Sequence, residues 1–263
     1  WYLYQFAMVD EAGNNFSHDY PKFGTWPDGY YMGSQEGFYG GDLNLMVFDR
    51  ANMINGNPAG TQSLDGGNQT FFWLPADLEG APPPPGTPNY FARQIDGDYY
   101  WLLAPDSIQI FAFVFDWKNP ANTTLNFGQT IPVLPFDSRI CGGGNPGLFQ
   151  YCIPQAGSGD LMETLSVWPM FRLQYRNFGD RDTLVFNHSV NADGNGTAGV
   201  RWYELERSTP GTGPWTVRQQ GTYSPQQAGN SQPEHRWMGS IAMDRFGNLA
   251  LGYSVSSTNL IAN

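Results

Sequence analysis

The side chains with the greatest chemical potential are few and scattered. Asp28 stands in Trp26-Pro27-Asp28-Gly29, a turn followed at once by a strand-like run, so its carboxylate can project from a strand start as a general acid or base. Asp before Gly is also a common turn pair, and the turn accounts for the residue more readily than catalysis does. Glu36 is the carboxylate that would work with it. Arg172 and Arg176 alternate with Gln174 along Phe171-Arg-Leu-Gln-Tyr-Arg176, a cationic strip able to grip a carboxylate on a sugar or peptide. Ion pairing to carboxylates such as Asp180 or Asp182 is the preferred account of that strip. Glu204 and Glu206 resemble the two carboxylates of glycoside hydrolysis, but that chemistry needs them facing each other across a substrate. As neighbours on one strand face they read as solvated strand charges.

Metal and cofactor signals are weak. His18, His188 and His235 are the only histidines and show no metal-ligand spacing. Asp193 and Asn195 lie in Asn191-Ala-Asp-Gly-Asn-Gly-Thr-Ala-Gly199, where calcium is conceivable, yet the ligand set is incomplete and an ordinary turn is expected. Otherwise no cofactor is expected. Cys141 and Cys152 are the only cysteines and bracket a short Gly-rich loop, which predicts a disulfide in an oxidising compartment, with buried thiols as the alternative. No Gly-X-Ser-X-Gly elbow, phosphate-binding Gly loop with Lys, or dinucleotide fingerprint occurs.

Composition sets the class. The chain has 263 residues, with 24 acidic against 13 basic side chains and a formal charge of -11, which disfavours nucleic acid and anionic lipid as partners. Charged residues make up only 14%, an extracellular look, while aromatics reach 16% and Gly and Pro are dense, a mix that favours many short strands joined by turns. The longest apolar run, Ile110 to Phe115, is too short for a membrane helix. No signal segment precedes Trp1, so a processed protein or fragment is expected. Asn-X-Ser/Thr sequons include those at Asn68, Asn122, Asn187 and Asn195.

The elements that must carry these groups show an internal repeat. Tyr31-Met32-Gly33-Ser34 and Trp237-Met238-Gly239-Ser240 are separated by 206 residues, and Asp42-Leu-Asn-Leu45 overlies Asn248-Leu-Ala-Leu251 at the same offset. They read as two copies of one hairpin. Strand-like openings near Tyr99-Tyr-Trp-Leu102 and Met170-Phe-Arg-Leu173 divide the interval, while Asp182 to Val190 and Val200 to Glu206 alternate as sheet strands buried on both faces. Repeating β units predict an all-β propeller of several four-stranded blades with long loop insertions. Residues 1–263 are expected to form one domain, blade number stays open, and a partial ring is included. The Ala81-Pro-Pro-Pro-Pro85 stretch is expected to be a stiff surface connector.

Several strings carry a resemblance: Asp19-Tyr-Pro-Lys-Phe-Gly-Thr-Trp-Pro-Asp-Gly-Tyr-Tyr-Met32, Val47-Phe-Asp-Arg50, Phe171-Arg-Leu-Gln-Tyr-Arg-Asn-Phe-Gly179, Gly199-Val-Arg-Trp-Tyr-Glu204, and Arg236-Trp-Met-Gly-Ser-Ile-Ala-Met-Asp244 with Gly247-Asn-Leu-Ala-Leu-Gly-Tyr-Ser254. Together they resemble large secreted bacterial proteins with a propeller-type domain, a family that implies no particular activity. A weaker likeness is to sialidases, whose blades carry a Ser-X-Asp-X-Gly-X-Thr-Trp turn. Ser63-Leu-Asp-Gly-Gly67 lacks the Thr-Trp, so no sialidase residue is carried over.

A propeller gathers the starts of its inner strands at one mouth of a channel. Asp28, Tyr30, Glu36, Arg172, Arg176, His235, Arg236 and Asp244 are expected there. The leading expectation is a secreted module binding glycans or other extracellular polymers through Tyr30, Arg172, Arg176, His235, Arg236 and Asp244. A second is a secreted hydrolase, sialidase-like, with Asp28 and Glu36 catalytic and Arg172 and Arg236 in the site. A third is a structural or adhesive subunit whose strand edges pair with a partner chain or another copy.

Overall fold

The structure, a computed structural model, describes residues 2–7, 17–36, 43–66, 72–99, 104–142, 150–225 and 232–260. Turn-forming Gly, Pro, Asn and Asp cut the chain into short strands. The first unit is an antiparallel meander of β1 (His18–Thr25), β2 (Tyr30–Glu36), β3 (Leu43–Phe48) and β4 (Thr61–Asp65), with the short helix α1 (Arg50–Asn55) between the last two. The second is β5 (Leu74–Leu78), β6 (Asn89–Ile95), β7 (Ser107–Val114) and β8 (Thr124–Pro132). An insertion holds β9 (Tyr151–Ile153) and β10 (Met162–Glu163). The third unit is β11 (Met170–Asn177), β12 (Asp182–Asn191), β13 (Ala198–Arg207) and β14 (Thr216–Tyr223), and a fourth hairpin is β15 (His235–Met243) with β16 (Leu249–Ser256). Three successive four-stranded meanders and a hairpin give the all-β, blade-like architecture the sequence predicts.

The first strands hold the units together. β5 and β11 pair in parallel through Leu173 with Ala76 and Tyr175 with Leu78, fusing two units into one eight-stranded sheet. β1 packs along β5 and reaches β11, while β15 lies across β12 between β11 and β13. Proline inside a central strand normally breaks a ladder. Pro75 is accommodated because β5 pairs with β6 through Leu74 and Pro75 and with β11 only from Ala76 onward.

Aromatic side chains fill the seams, which is where most of that unusual aromatic content goes. Trp26 sits edge-on to Tyr175 at 4.7 Å and to Tyr90 at 6.3 Å, so one buried indole joins three units. Its Nε1 donates to the Thr87 carbonyl at 3.0 Å, removing the cost of an unpaired buried donor. Asp182 through Val190 of β12 are all buried, as expected of a strand covered on both faces. Asn187 is among them and fully enclosed, whereas Asn122 and Asn195 are exposed. Expression in a host that glycosylates secreted proteins should therefore modify Asn122 and Asn195 but leave Asn187 bare. Peptide mapping by mass spectrometry checks this, and substantial occupancy at Asn187 would contradict the burial.

Both copies of the Met-Gly-Ser repeat are hairpin strands, β2 with β3 and β15 with β16. Their glycines allow close sheet approach: a Cβ on Gly33 would stand 2.4 Å from the Trp73 carbonyl oxygen, and one on Gly239 would stand 2.3 Å from Asn187 Oδ1. The registers differ. Gln35 faces Leu43, so the repeat offset would place Ile241 opposite Leu249, but Trp237 already pairs one residue further along, with Ser254, and the bulge between Trp237 and Ser240 adds a second residue, so that Ile241 faces Leu251.

Two local expectations change. Tyr99 lies in a turn after β6, with its N–H donating to Asp96 Oδ1 at 2.9 Å, and residues 100–102 lie outside the described residues. The second unit opens instead at Leu74. The proline stretch does connect β5 to β6, but it is tied down: Asn177 Nδ2 donates to the Pro82 carbonyl at 2.9 Å and Pro83 is buried. Cys141 and Cys152 form a disulfide, bracketing residues 143–149, which lie outside the described residues. Cys152 packs against a small core of Ile140, Ile153, Ala198 and Trp237.

Candidate functional site

Where the first strands meet, a polar cluster forms. Arg172 reaches across the parallel seam from β11, its Nη1 donating to Asp77 Oδ2 at 2.7 Å and its Nη2 to Glu79 Oε2 at 3.1 Å. Asp77 also accepts the Thr25 backbone N–H at 3.0 Å, which ties β1 into the same cluster. Arg176 lies 3.9 Å from Glu79 and donates to the Met243 carbonyl at 3.2 Å. Between the two arginines, Gln174 donates to that carbonyl at 2.9 Å and accepts the Met243 N–H at 2.6 Å. The strip thus pairs with carboxylates, as preferred, but the partners are Asp77 and Glu79. Asp180 pairs with Arg181, and Asp182 pairs with Arg207.

An arginine bridging Asp77 and Glu79 occupies the space that water or a sugar would need between acid and base. The cluster's geometry is that of an inter-unit clasp, with Arg172 engaged in both directions.

The remaining expected residues do not join this cluster. Asp28 is exposed at its turn and accepts the Tyr31 Oη proton at 3.1 Å. Glu36 ends β2 opposite His18, and its side chain lies outside the described residues. His235 is buried, accepting the Ala198 N–H on Nδ1 at 3.3 Å. Arg236 is buried too, with Nη2 donating to Glu234 Oε2 at 2.7 Å. Asp244 shapes the β15–β16 turn by accepting the Phe246 and Asn248 N–H groups at 2.8 and 2.9 Å. Asp193 is similarly engaged, taking the Asn195 and Thr197 N–H groups on Oδ1 and the Thr197 hydroxyl on Oδ2. Asn195 Nδ2 donates back to the Asp193 carbonyl at 3.2 Å. Among the described residues no group of three or more His, Cys, Asp or Glu converges on a metal-sized space. Glu204 is buried, contrary to a solvated strand charge, and accepts Gln219 Nε2 at 2.6 Å, while Arg218 reaches both Glu204 and Glu206.

The histidines make stability pH-dependent. His188 is fully buried beside Tyr203 Oη at 3.0 Å, and burial pushes its pKa down to about 3; burial also lowers His18 and His235. The unfolded histidines take up protons below about pH 6.5 while the folded ones resist, so stability is present above that pH and falls as acid is added. Urea midpoints measured at pH 7 and 5.5 should drop at the lower pH, with His188 alone contributing at most about 1.4 kcal/mol per pH unit. Equal midpoints would contradict the buried neutral ring.

Tyr30 belongs to a different surface. A cleft of about 600 Å³ lies on the first unit, lined by Tyr2, Tyr4, Phe6, Phe23, Tyr30 and Phe48 together with Gln5, Gly24, Thr25 and Met53. Tyr4 anchors the N-terminal side of it by donating its hydroxyl to carbonyls at the end of α1, including Asn57 at 2.9 Å. Phe6 meets Phe48 edge-on at 5.1 Å, Phe23 lies 6.0 Å from Phe48, and the Arg50 guanidinium stands 5.7 Å over the Tyr30 ring. Tyr2 and Phe23 are 64% and 50% exposed, so much of the aromatic surface faces solvent. No protein-family model matches the sequence, and no curated protein does either. An endo-arabinase from Bacteroides thetaiotaomicron VPI-5482 is similar in structure over 95% of this chain and 74% of that one, at 12% identity and a TM-score of 0.38. That likeness is too low to carry an argument about this chain. Sequence reasoning reaches Tyr30 alone of this aromatic cleft and misses Phe23 and Phe48. Phe23 lies within the Asp19-to-Met32 string, and Phe48 in Val47-Phe-Asp-Arg50.

Proposed function

We propose that this is an extracellular carbohydrate-binding protein whose first unit holds neutral polysaccharide in the aromatic cleft. The carrying observation is the exposed ring surface of Phe23 and Tyr2 continuing into Tyr30, Phe6 and Phe48. Sugar rings present C–H faces that stack on aromatic planes, and the tyrosine hydroxyls add polar edges. Among its described lining residues the cleft has aromatic and uncharged side chains and no Asp, Glu or His, a set suited to holding a polymer. A disulfide and a low charged content support an oxidising, extracellular setting. No helix among the described residues is long and apolar enough to cross a membrane. The test is incubation with immobilised neutral polysaccharides, reading retained protein and soluble products by mass spectrometry. Retention with intact polymer supports the reading. Shortened products, or no retention on any polymer, would overturn it.

A further inference from the structure

A second cleft, of about 550 Å³, lies between the second and third units, a size ordinary for small-molecule sites. Pro88, Tyr90, Ile110, Arg207, Trp215 and the loop Gly211-Thr-Gly-Pro214 contribute to its lining. At its base Arg207 is almost completely buried. Its Nε donates to Asp182 Oδ2 at 2.6 Å and its Nη1 to Tyr90 Oη at 2.6 Å. The guanidinium also lies 4.6 Å from the Trp215 ring centre and 4.8 Å from that of Tyr90. Two donors remain over. Nη2 of Arg207 has no acceptor, and Tyr90, which accepts from Nη1, has no acceptor for its own O–H among the described residues. Buried donors left unpaired are costly, so the arrangement favours a ligand that brings oxygen acceptors.

We propose that this cleft is a second binding site, for an uncharged, hydroxyl-rich ring of the sugar type. The charge balance selects against an anion: Arg207 is already matched by Asp182, which is fully buried and also takes the Tyr175 hydroxyl at 2.5 Å and the Gly211 N–H at 2.8 Å. An added carboxylate would therefore meet no net positive charge, on a chain of formal charge -11. Pro214, Ile110 and the Trp215 ring supply apolar walls for the C–H face of a sugar, while Arg207 and Tyr90 supply donors at its edge. Nη2 is shielded from solvent, so a ligand oxygen reaches it as neighbouring lining atoms shift, and the Gly211-to-Pro214 loop that lines the same cleft reports the occupant. This inference rests on its own residues and not on the reading of the aromatic cleft.

The experiment titrates xylohexaose, cellohexaose and hexagalacturonate into the full chain while following the backbone amide resonances of Gly211, Thr212 and Gly213 by NMR. At least one neutral hexasaccharide should shift these resonances, and hexagalacturonate should not. Thr212→Trp fills the cleft mouth from an exposed loop position, and Arg207→Lys keeps a positive charge for Asp182 while removing the fork; each should weaken the loop response at least tenfold. Phe23→Ala, in the other cleft, should leave it unchanged. Loop shifts that persist undiminished in Thr212→Trp, loop shifts with hexagalacturonate, or no loop shifts with either neutral sugar would each overturn the inference. In all three cases binding lost on Phe23→Ala would still support the aromatic cleft.

Discussion

Replacing Arg207 with Met is expected to destabilise the protein by about 3–5 kcal/mol, because it leaves a buried carboxylate without its counter-charge. Asp182 has no solvent exposure, and the third unit is built around it: Arg207, Tyr175 and the Gly211 N–H all converge on its two oxygens. Removing the guanidinium also strips the cation from between Tyr90 and Trp215, so the loss combines electrostatics with packing. Adding Asp182→Asn to Arg207→Met should recover part of the loss, since an amide oxygen still accepts from Tyr175 and carries no charge. Urea unfolding of the two variants beside the wild type checks this. A loss below about 1 kcal/mol for Arg207→Met would mean that Asp182 is relieved by some other group.

The second large effect is on binding. Phe23→Ala with Tyr30→Ala removes two rings from the aromatic cleft, and aromatic contacts of this kind contribute about 0.5–1.5 kcal/mol each. The pair should weaken polysaccharide binding by roughly 5- to 150-fold. Stability should change little in comparison, because Phe23 is half exposed and Tyr30 lies at the edge of the small Met32, Met46 and Phe48 cluster. Affinity electrophoresis against the retained polymer, run beside thermal unfolding, separates the two quantities. Unchanged mobility with a normally folded variant would place binding elsewhere.

What the sequence made legible follows from locality. β11, β12 and β13, and the hairpin through Asn191 to Gly199, are legible because alternation and glycine turns act over a few residues. The Cys141–Cys152 bridge is legible because its two halves flank one loop. β5 is hidden by Pro75, a residue that argues against a strand unless its pairing changes partner at that point, as it does here. The aromatic run after Ile95 looks like a strand, but Asp96 captures the Tyr99 N–H and turns the chain.

The candidate sites were less legible because their partners are remote. Arg172 and Arg176 are visible as a strip, yet the carboxylates that hold Arg172 lie 95 and 93 positions away, Asp77 on β5 and Glu79 just past its end, and β5 joins β11 only by parallel pairing. Tyr90 and Arg207, 117 positions apart, carry no local pattern that would announce a cleft between them. Tyr30, expected from the sequence as a ligand contact at a channel mouth, lines a cleft with Phe6, Phe23 and Phe48 on the first unit. Asp193 shows the opposite situation, since its turn-forming bonds are local and the turn reading is visible in the sequence, whereas Asp244, expected at a channel mouth, is held in the β15–β16 turn.

The most direct test of the central claim is to map a bound neutral oligosaccharide onto the protein, using the sugar unit of whichever polymer retains it, by following aromatic side-chain resonances during titration. The account predicts the largest shifts at Phe23 and Tyr30, with Phe6 and Phe48 following. Saturable binding that leaves these rings unshifted would contradict it.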